Sequence, residues 1–578
     1  DFFLSQKMSW NQTNTMPHHT FWWEGIDGTR VFSHFPSADT YNSELTGQEL
    51  GFAEKNFAEK GRASISLIPF GWGDGGGGPT REMLAAAYRT ENLEGSPRVS
   101  LGSAAEFFEA AHQEYPNAPV WRGEMYLELH RGVFTSQLRT KQGNRRNEAL
   151  LREAELWSTY ATLRTGMTYP VKELRKAWEE VLLLQFHDIL PGTSIAWVHR
   201  EAEIKHQEIS QTLNKIIQQS LLLLVNDPES SVKKSVMIAN VSATKRLGVD
   251  PFAIGVPNKF KNQAFLRENL EGVTLENGNI QVVIDKAGHI TSIKNLSDGR
   301  EAIAANQSAN EFHLHSDLPN KWDAWDIDSH YKRSFEILNQ VTSYSTGQSE
   351  DGRVWLEIIK SVSSSKEKTS TIKERLTLYP EATDLEIELE IDWNEQEKLL
   401  KLTFPIDVHA EQVAAETQFG HIWRPTHVNT SWDYARFETC QHKFVHLREE
   451  NWGIAFANDS TYGFDVSRNT DDHGATITTL RFSIIRAARF PDPNADQGLH
   501  FMKFRIKPGA SILDAVKLGY CLNYPERRVM GNRATPPLIS CDTDQVIIET
   551  VKLAEDGSGD LIVRLYESIG SRAQCNIK

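Results

Sequence analysis

Two short stretches hold residue types that could do chemistry. The first is Gly71-Trp72-Gly73-Asp74-Gly75-Gly76-Gly77-Gly78-Pro79. A glycine run lets the backbone pass close to a ligand and take up positive φ. No Gly-Lys-Ser/Thr follows, so a phosphate loop is disfavoured. Asp74 is the one carboxylate of the run and Trp72 its one ring. An acid beside an apolar ring suits a general acid, because an apolar surround disfavours the ionised form. The competing reading is a solvated aspartate on a flexible loop, and the pattern alone does not choose.

The second stretch is Gln185-Phe186-His187-Asp188-Ile189-Leu190-Pro191-Gly192-Thr193. His187 stands at the end of an apolar helical pattern, beside an acid and a sharp stop. A neutral imidazole there suits a metal ion, with a carboxylate to orient the ring. By pattern alone, a histidine compensating the helix dipole is the better reading. A third signal is aromatic density. Of 15 Trp, several stand among polar neighbours, as in Ser9-Trp10-Asn11, Phe21-Trp22-Trp23-Glu24, Lys321-Trp322-Asp323-Ala324-Trp325-Asp326 and Ser431-Trp432-Asp433. Flat apolar faces with polar edges suit sugar rings. For any single Trp, core packing is the better reading. The other histidines, such as His18, His19 and His34, show no HxH or HExxH spacing, and no GxSxG elbow occurs.

Three zones must position these residues. Residues 1–95 alternate strand and helix patterns: strand at Arg30–Phe35, helix at Gly47–Lys60, strand at Ala63–Phe70, helix from Thr80 to Arg89. That alternation predicts a parallel sheet with covering helices, and chemistry at the carboxyl ends of its strands. Residues 96–225 are mostly helical, with helices over Asn144–Arg164, from Pro170 to Pro191-Gly192 and over Val198–Leu224. Three such helices predict a small bundle. Beyond about residue 226 the apolar period becomes two. Val236–Ala239, Ile280–Ile284, Ile290–Ile293, Trp355–Ile359, Thr371–Leu378 and Leu385–Ile391 read as strands of one or more sandwiches, spanning 226–578.

Composition sets the bounds. A chain of 578 residues with 39% hydrophobic and 24% charged residues is ordinary globular protein with more than one core. No apolar run is long enough to span a membrane. A net charge of −15 disfavours nucleic acid as the main partner and accommodates a neutral sugar. Cys440, Cys521, Cys541 and Cys575 are far apart, with no CxxC spacing, which fits a reducing compartment. The N-x-S/T sequons, beginning at Asn11, Asn240, Asn295, Asn306, Asn429 and Asn458, are read as chance. Asp1-Phe2-Phe3-Leu4 reads as a buried strand already under way, and Leu561–Tyr566 as another strand close to the end. Both ends are therefore expected to be cut.

Seven stretches, in order along almost the whole chain, resemble glycoside hydrolase family 38, the class II α-mannosidases, in its cytosolic and bacterial branch. They are FFLSQKMSWNQTN, PHHTFWWEGIDGTRVFSHFP, GWGDGGGGPTREM, YLELHRGVFTSQ, LLQFHDILPGTSI, LPNKWDAWDID and RPTHVNTSWDYARFE. The resemblance implies part of an α/β barrel over 1–95, a three-helix bundle over 96–225 and β-sandwich domains over 226–578. It implies hydrolysis of α-mannosidic bonds with retention, by two carboxylates about 5 Å apart. It also implies a divalent metal, zinc first, under the mannose.

Carried over by motif, His187 is the family's metal-binding histidine, which reverses the reading from pattern alone. Asp74 matches the acid/base region, and Trp10, Asn11, Tyr41 and Trp72 match the pocket wall. Asp188, Arg131 and Asp433 fall near it without a role. The family's His-x-Asp metal motif and its nucleophilic aspartate have no counterpart here. One histidine cannot make a tight zinc site, and without the nucleophile the covalent step has no route. The resemblance thus implies an α-mannosidase, located in the cytoplasm and able to form homo-oligomers, of which this chain alone is inactive. The competing readings are a non-catalytic carbohydrate-binding protein and a metal-dependent hydrolase of another substrate, such as a deacetylase.

Overall fold

A computed structural model describes residues 1–362, 369–471 and 474–578. Its chain divides into two units, Asp1–Leu129 with Val428–Arg436, and His130–His427 with Phe437–Lys578.

The first unit is built on a four-stranded sheet. Its strands are β1 (Phe2–Leu4), β2 (Thr20–Glu24), β3 (Arg30–His34) and β4 (Val120–Arg122), in the order β1-β3-β2-β4. The sheet is mixed, not parallel as expected. β1 runs parallel to β3 and β4 parallel to β2, but β2 and β3 are antiparallel. The reason is local. A parallel crossover needs a dozen or more residues, whereas β2 and β3 are joined by a tight turn. In it Gly25 N–H donates to Thr29 O and Asp27 Oδ1 accepts from Thr29 N–H, with Gly28 at φ +84°. No closed barrel forms among the described residues.

Three helices accompany the sheet: α1 (Gly47–Asn56), α2 (Arg81–Thr90) and α3 (Ala104–Glu114), each opened by a capping box at Thr46, Thr80 and Ser103. Phe108 of α3 stacks on Phe2 at 4.7 Å and packs on Phe32. Phe2 and Leu4, expected in a buried strand, lie on the sheet's edge strand and are 44% and 37% exposed.

Ala63–Phe70 is a second correction. It is extended but is not a strand; its one bridge is Phe70 to Ser43. Side chains take the place of a neighbouring strand. Ser64 N–H donates to Glu114 (3.0 Å) and Leu67 N–H to His34 Nε2 (3.2 Å). Alternation of residue type predicts an extended backbone, but not what its amides bind.

The second unit opens with α4 (Leu138–Thr165), α5 (Val171–Leu184) and α6 (Ala196–Val225). They pack around Leu151, Trp157, Val181, Leu213 and Leu221. Pro170 sits immediately before α5, and that helix stops at Leu184, ahead of Pro191-Gly192. Helix α4 buries charge as well as apolar surface. Arg145 donates to Asn458, Arg152 to the carbonyls of Val241 and Ile548, and Glu153 accepts both arms of Arg527.

The rest of this unit is β. A nine-stranded and a six-stranded sheet share one apolar core, with Leu356, Ile358, Ile372, Leu400, Phe404, Phe482 and Phe504 inside. The expected strands are present within three residues of their predicted bounds, as in Val354–Val362 and Leu385–Trp393. No helix among the described residues is long and apolar enough to cross a membrane.

His34 makes the first unit sensitive to acid. Its ring is fully enclosed, with Thr20 Oγ1 at 3.0 Å from Nδ1 and Leu67 N–H donating to Nε2. Burial holds its pKa down at about 3, and burial first, then Lys60, holds His19 at about 4. The unfolded chain takes these protons near pH 6.5, the folded chain only below about 4, so this stability is present above 6.5 and lost as pH falls. The free energy of unfolding, measured by denaturant titration, is expected to be lower at pH 5 than at pH 7, falling by up to about 1.4 kcal/mol per pH unit below 6.5 for each group. His34→Gln, which can still donate and accept, removes the His34 share of that slope.

Candidate functional site

The glycine loop is a closed structure. Trp72 and Gly78 exchange backbone hydrogen bonds of 2.9 and 2.8 Å, which pinch Gly73–Gly77 into a lobe. Gly71 N–H donates to Ser43 O at 3.0 Å, and Gly73 N–H donates to Asn42 Oδ1 at 2.6 Å. The loop is therefore pinned at its base and on its flank to the segment after β3. Glycine is required at Gly71, where φ is +99° and a Cβ would lie 2.6 Å from Pro79 N. At Gly73 a Cβ would meet Asn42 Oδ1 at 2.7 Å, so a larger residue there must displace the Asn42 side chain.

Asp74 projects from the lobe and is exposed. The Tyr41 hydroxyl donates to it, 3.0 Å from Oδ2 and 3.3 Å from Oδ1. Burial first, and the Asp74 carboxylate second, push the Tyr41 phenol above its ordinary range, so it stays a donor. The Trp10 ring lies 6.1 Å from that of Tyr41, and Lys7 Nζ sits over both rings at 3.8 and 4.3 Å. Trp72, on the same lobe, is 44% exposed. The structure thus brings Trp10, Tyr41 and Asp74 together, with Trp72 exposed on the same lobe as Asp74.

Asn11 turns away from that cluster. Its Oδ1 accepts from Glu128 N–H at 2.9 Å and its Nδ2 reaches Tyr126 O. The reading from sequence missed Glu128. This carboxylate is buried and accepts from the amides of Thr13 (2.6 Å) and Asn14 (3.3 Å) and from the Asn14 side chain. The signal was present as one acid between two leucines in Leu127-Glu128-Leu129. Asn14 is also held by Ser431, at the start of α7 (Ser431–Ala435), whose Trp432 packs on Trp121. Asp433 serves there as the capping carboxylate for Thr430.

His187 belongs to the second unit. It lies on the turn after α5, 79% exposed, with Nε2 at 3.0 Å from Asp188 Oδ2. Thr193 donates to the other Asp188 oxygen at 2.7 Å. The imidazole is thus oriented by a carboxylate that is itself fixed, the arrangement metal-binding histidines use. A buried lysine holds the turn. Lys141 donates to the carbonyls of Leu190 (2.9 Å), Pro191 (3.0 Å) and Ser136, and burial first brings its pKa down to about 7. Arg131 is buried, with Asp326 accepting from its amide at 3.0 Å. Among the described residues no three His, Cys, Asp or Glu converge to hold a metal. His187 with Asp188 does not meet the need of a catalytic zinc for about three protein ligands.

The chain matches four domain descriptions. Residues 1–124 match the glycosyl hydrolases family 38 N-terminal domain, and 128–224 the alpha mannosidase middle domain. Residues 275–494 match the glycosyl hydrolases family 38 C-terminal domain, and 545–578 its C-terminal beta sandwich domain. The chain is 35% identical over 610 residues to alpha-mannosidase 2C1 of Homo sapiens, covering 99% of this chain and 57% of that protein. It is 30% identical over 623 residues to an alpha-mannosidase of Saccharomyces cerevisiae, covering 99% and 55%. The chain thus spans little more than half the length of these curated relatives. An alpha-mannosidase structure from Enterococcus faecalis V583 superposes with a TM-score of 0.80 over 97% of this chain and 78% of that one. At 15% identity that likeness shows the fold.

The pinched loop can be tested by itself. Gly71→Ala must open the Trp72–Gly78 bridge, because its Cβ has no room beside Pro79. Amide exchange at Trp72 and Gly78 is expected to speed about tenfold, for a local cost of about 1–2 kcal/mol. Gly51→Ala, on α1, meets nothing within 4 Å at an ordinary helical φ and leaves that exchange unchanged.

Proposed function

The chain belongs to glycosyl hydrolases family 38, and on that premise we propose that the protein is a retaining α-mannosidase that removes terminal α-linked mannose from oligosaccharides. The observation that carries this reading is the cluster of Trp10, Tyr41, Trp72 and Asp74 around the pinched glycine loop. Exposed rings beside a carboxylate suit a pyranose, whose apolar face packs on a ring while its hydroxyls meet polar groups.

Asp74 is proposed as the general acid/base. It protonates the leaving glycosidic oxygen and then takes a proton from the incoming water. Tyr41, donating to the carboxylate, fixes its direction. Trp10 and Trp72 are proposed to pack against sugar, and Asn11 to act indirectly, by holding the Tyr126–Glu128 segment. No residue of the chain is assigned as nucleophile. His187, oriented by Asp188, is the residue proposed to meet a divalent metal, zinc first. Because the described residues form no complete metal site, no step is assigned to the ion. Sparse cysteines support a cytoplasmic location, and a net charge of −15 supports a neutral rather than polyanionic substrate.

The test is the leaving-group dependence of Asp74→Asn, assayed at the protein's full natural length. Hydrolysis of an aryl α-mannoside with a poor leaving group is expected to fall about 10²–10⁴-fold. With a strongly activated leaving group, which needs no protonation, the first step recovers. Equal loss on both substrates would remove Asp74 from the acid/base role.

A further inference from the structure

The Lys321–Asp326 motif forms a second aromatic feature that the proposed active site does not use. Three rings of the second unit form a row of successive contacts, in which Trp325, half-buried, touches the other two. Trp322 and Trp325 lie 6.2 Å apart at 72°, and Trp325 and Phe490 lie 6.3 Å apart at 34°. Trp322 is 57% exposed and Phe490 60%.

The row is held rigidly from below. Asp323 Oδ2 accepts from the amides of Arg489 (2.6 Å) and Phe490 (3.0 Å), and Ala324 N–H donates to Phe490 O (3.1 Å). These bonds lock the two ring-bearing loops together. The amides of Trp325 and Asp326 both donate to Trp322 O at 2.9 Å. Trp322 itself has φ +60°, a conformation that bulky side chains seldom adopt. A strained backbone that thrusts an indole into solvent gains the core nothing, and such strain concentrates where a ligand is met.

Asn320 and Asp328 close the base of the loop, with Asp328 Oδ2 accepting from Asn320 N–H (2.7 Å) and Asn320 Nδ2 (2.9 Å). Exposed aromatic faces match a pyranose, which offers C–H groups on its own face. A stacked nucleobase is the other common guest of such rows, but binding its phosphates needs a basic surface and the chain carries −15.

We propose that Trp322, Trp325 and Phe490 form an auxiliary carbohydrate-binding shelf that takes a hexopyranose unit of an α-linked oligosaccharide. Its ligand class rests on the α-mannosidase reading; its existence as a sugar site does not. The probe is a sulfur-linked α-mannotriose, which is not turned over, titrated calorimetrically against the protein and its variants. Trp322→Gly removes the ring at a φ that glycine accepts, and Phe490→Ser provides a second, independent variant. Each is expected to weaken binding at least tenfold and to leave hydrolysis of a simple aryl α-mannoside within twofold of normal. Unchanged affinity in both variants overturns the proposal. So does a change in oligomeric state, by light scattering, with sugar affinity intact, since the shelf would then be a contact between chains. Shelf-dependent binding in a protein that cleaves no mannoside would keep this proposal and sink the α-mannosidase reading. Hydrolysis with shelf-independent binding would do the reverse.

Discussion

The second unit is organised around one buried guanidinium. Arg486 is fully enclosed and reaches three segments distant in sequence. Its Nε donates to Asp317 Oδ2 at 2.5 Å, one terminal nitrogen to Asp326 O at 2.5 Å, and the other to Ser136 Oγ at 3.1 Å. Five planar donors in a fixed fork suit such a junction better than an ammonium would. Burial pushes the Asp317 carboxyl up, while Arg486 pulls the other way. Neither charge could stand there alone, since an unpaired buried ion costs several kcal/mol. The junction also leaves no room for a side chain at Gly132, where a Cβ would collide with the guanidinium.

Both features assigned to this unit depend on that junction. Ser136 lies just ahead of α4, and its carbonyl is one of the three that Lys141 gathers beneath the turn bearing His187. Asp317 and Asp326 bracket the loop that raises Trp322. One cation therefore fixes the start of α4 and the ring-bearing loop in a single frame. Within that frame Gly192, at φ +85°, packs so tightly on Ser136 that no Cβ fits. The turn after α5 is thus set by backbone-to-backbone approach, which side-chain preferences do not encode.

This explains what could be read in advance. Strands such as Val354–Val362 were legible because one face is buried and the other is not, so residue type alternates with the pleat. The helices were legible from their apolar stripes and from Pro170. Ala63–Phe70 was misread because its alternation is real while its amides bind Glu114 and His34 instead of a strand. The antiparallel β2–β3 pair went unread because Phe21-Trp22-Trp23-Glu24 stood out as aromatic density and not as a strand. Helix α4 conceals its contacts for another reason: Arg145, Arg152 and Glu153 look solvated in sequence yet meet Asn458, Val241, Ile548 and Arg527. In the site, Asp74 and Trp72 could be picked out by residue type, whereas Tyr41 came only through resemblance. Its bond to Asp74 joins loops with no local relation. The Asn14–Ser431 contact spans most of the chain and leaves no trace in either neighbourhood.

A common logic links these particulars. The groups proposed to meet a ligand, Asp74, Trp72, His187 and Trp322, are exposed. The groups that aim them bind mostly to backbone. Asn42 holds the Gly73 amide, Glu128 the amides of Thr13 and Asn14, Lys141 the carbonyls of Leu190 and Pro191, and Asp323 the amides of Arg489 and Phe490. A side chain that binds main chain fixes a loop's path whatever residues the loop displays. The displayed residue is then free to be chosen for chemistry. Placing a costly polar group beneath an exposed one is how a loop gains the precision of a helix or strand without becoming one. It also predicts where tolerance ends, since exchanging a ring in solvent alters what the surface binds, whereas exchanging the polar group beneath it alters whether the loop has a single path at all.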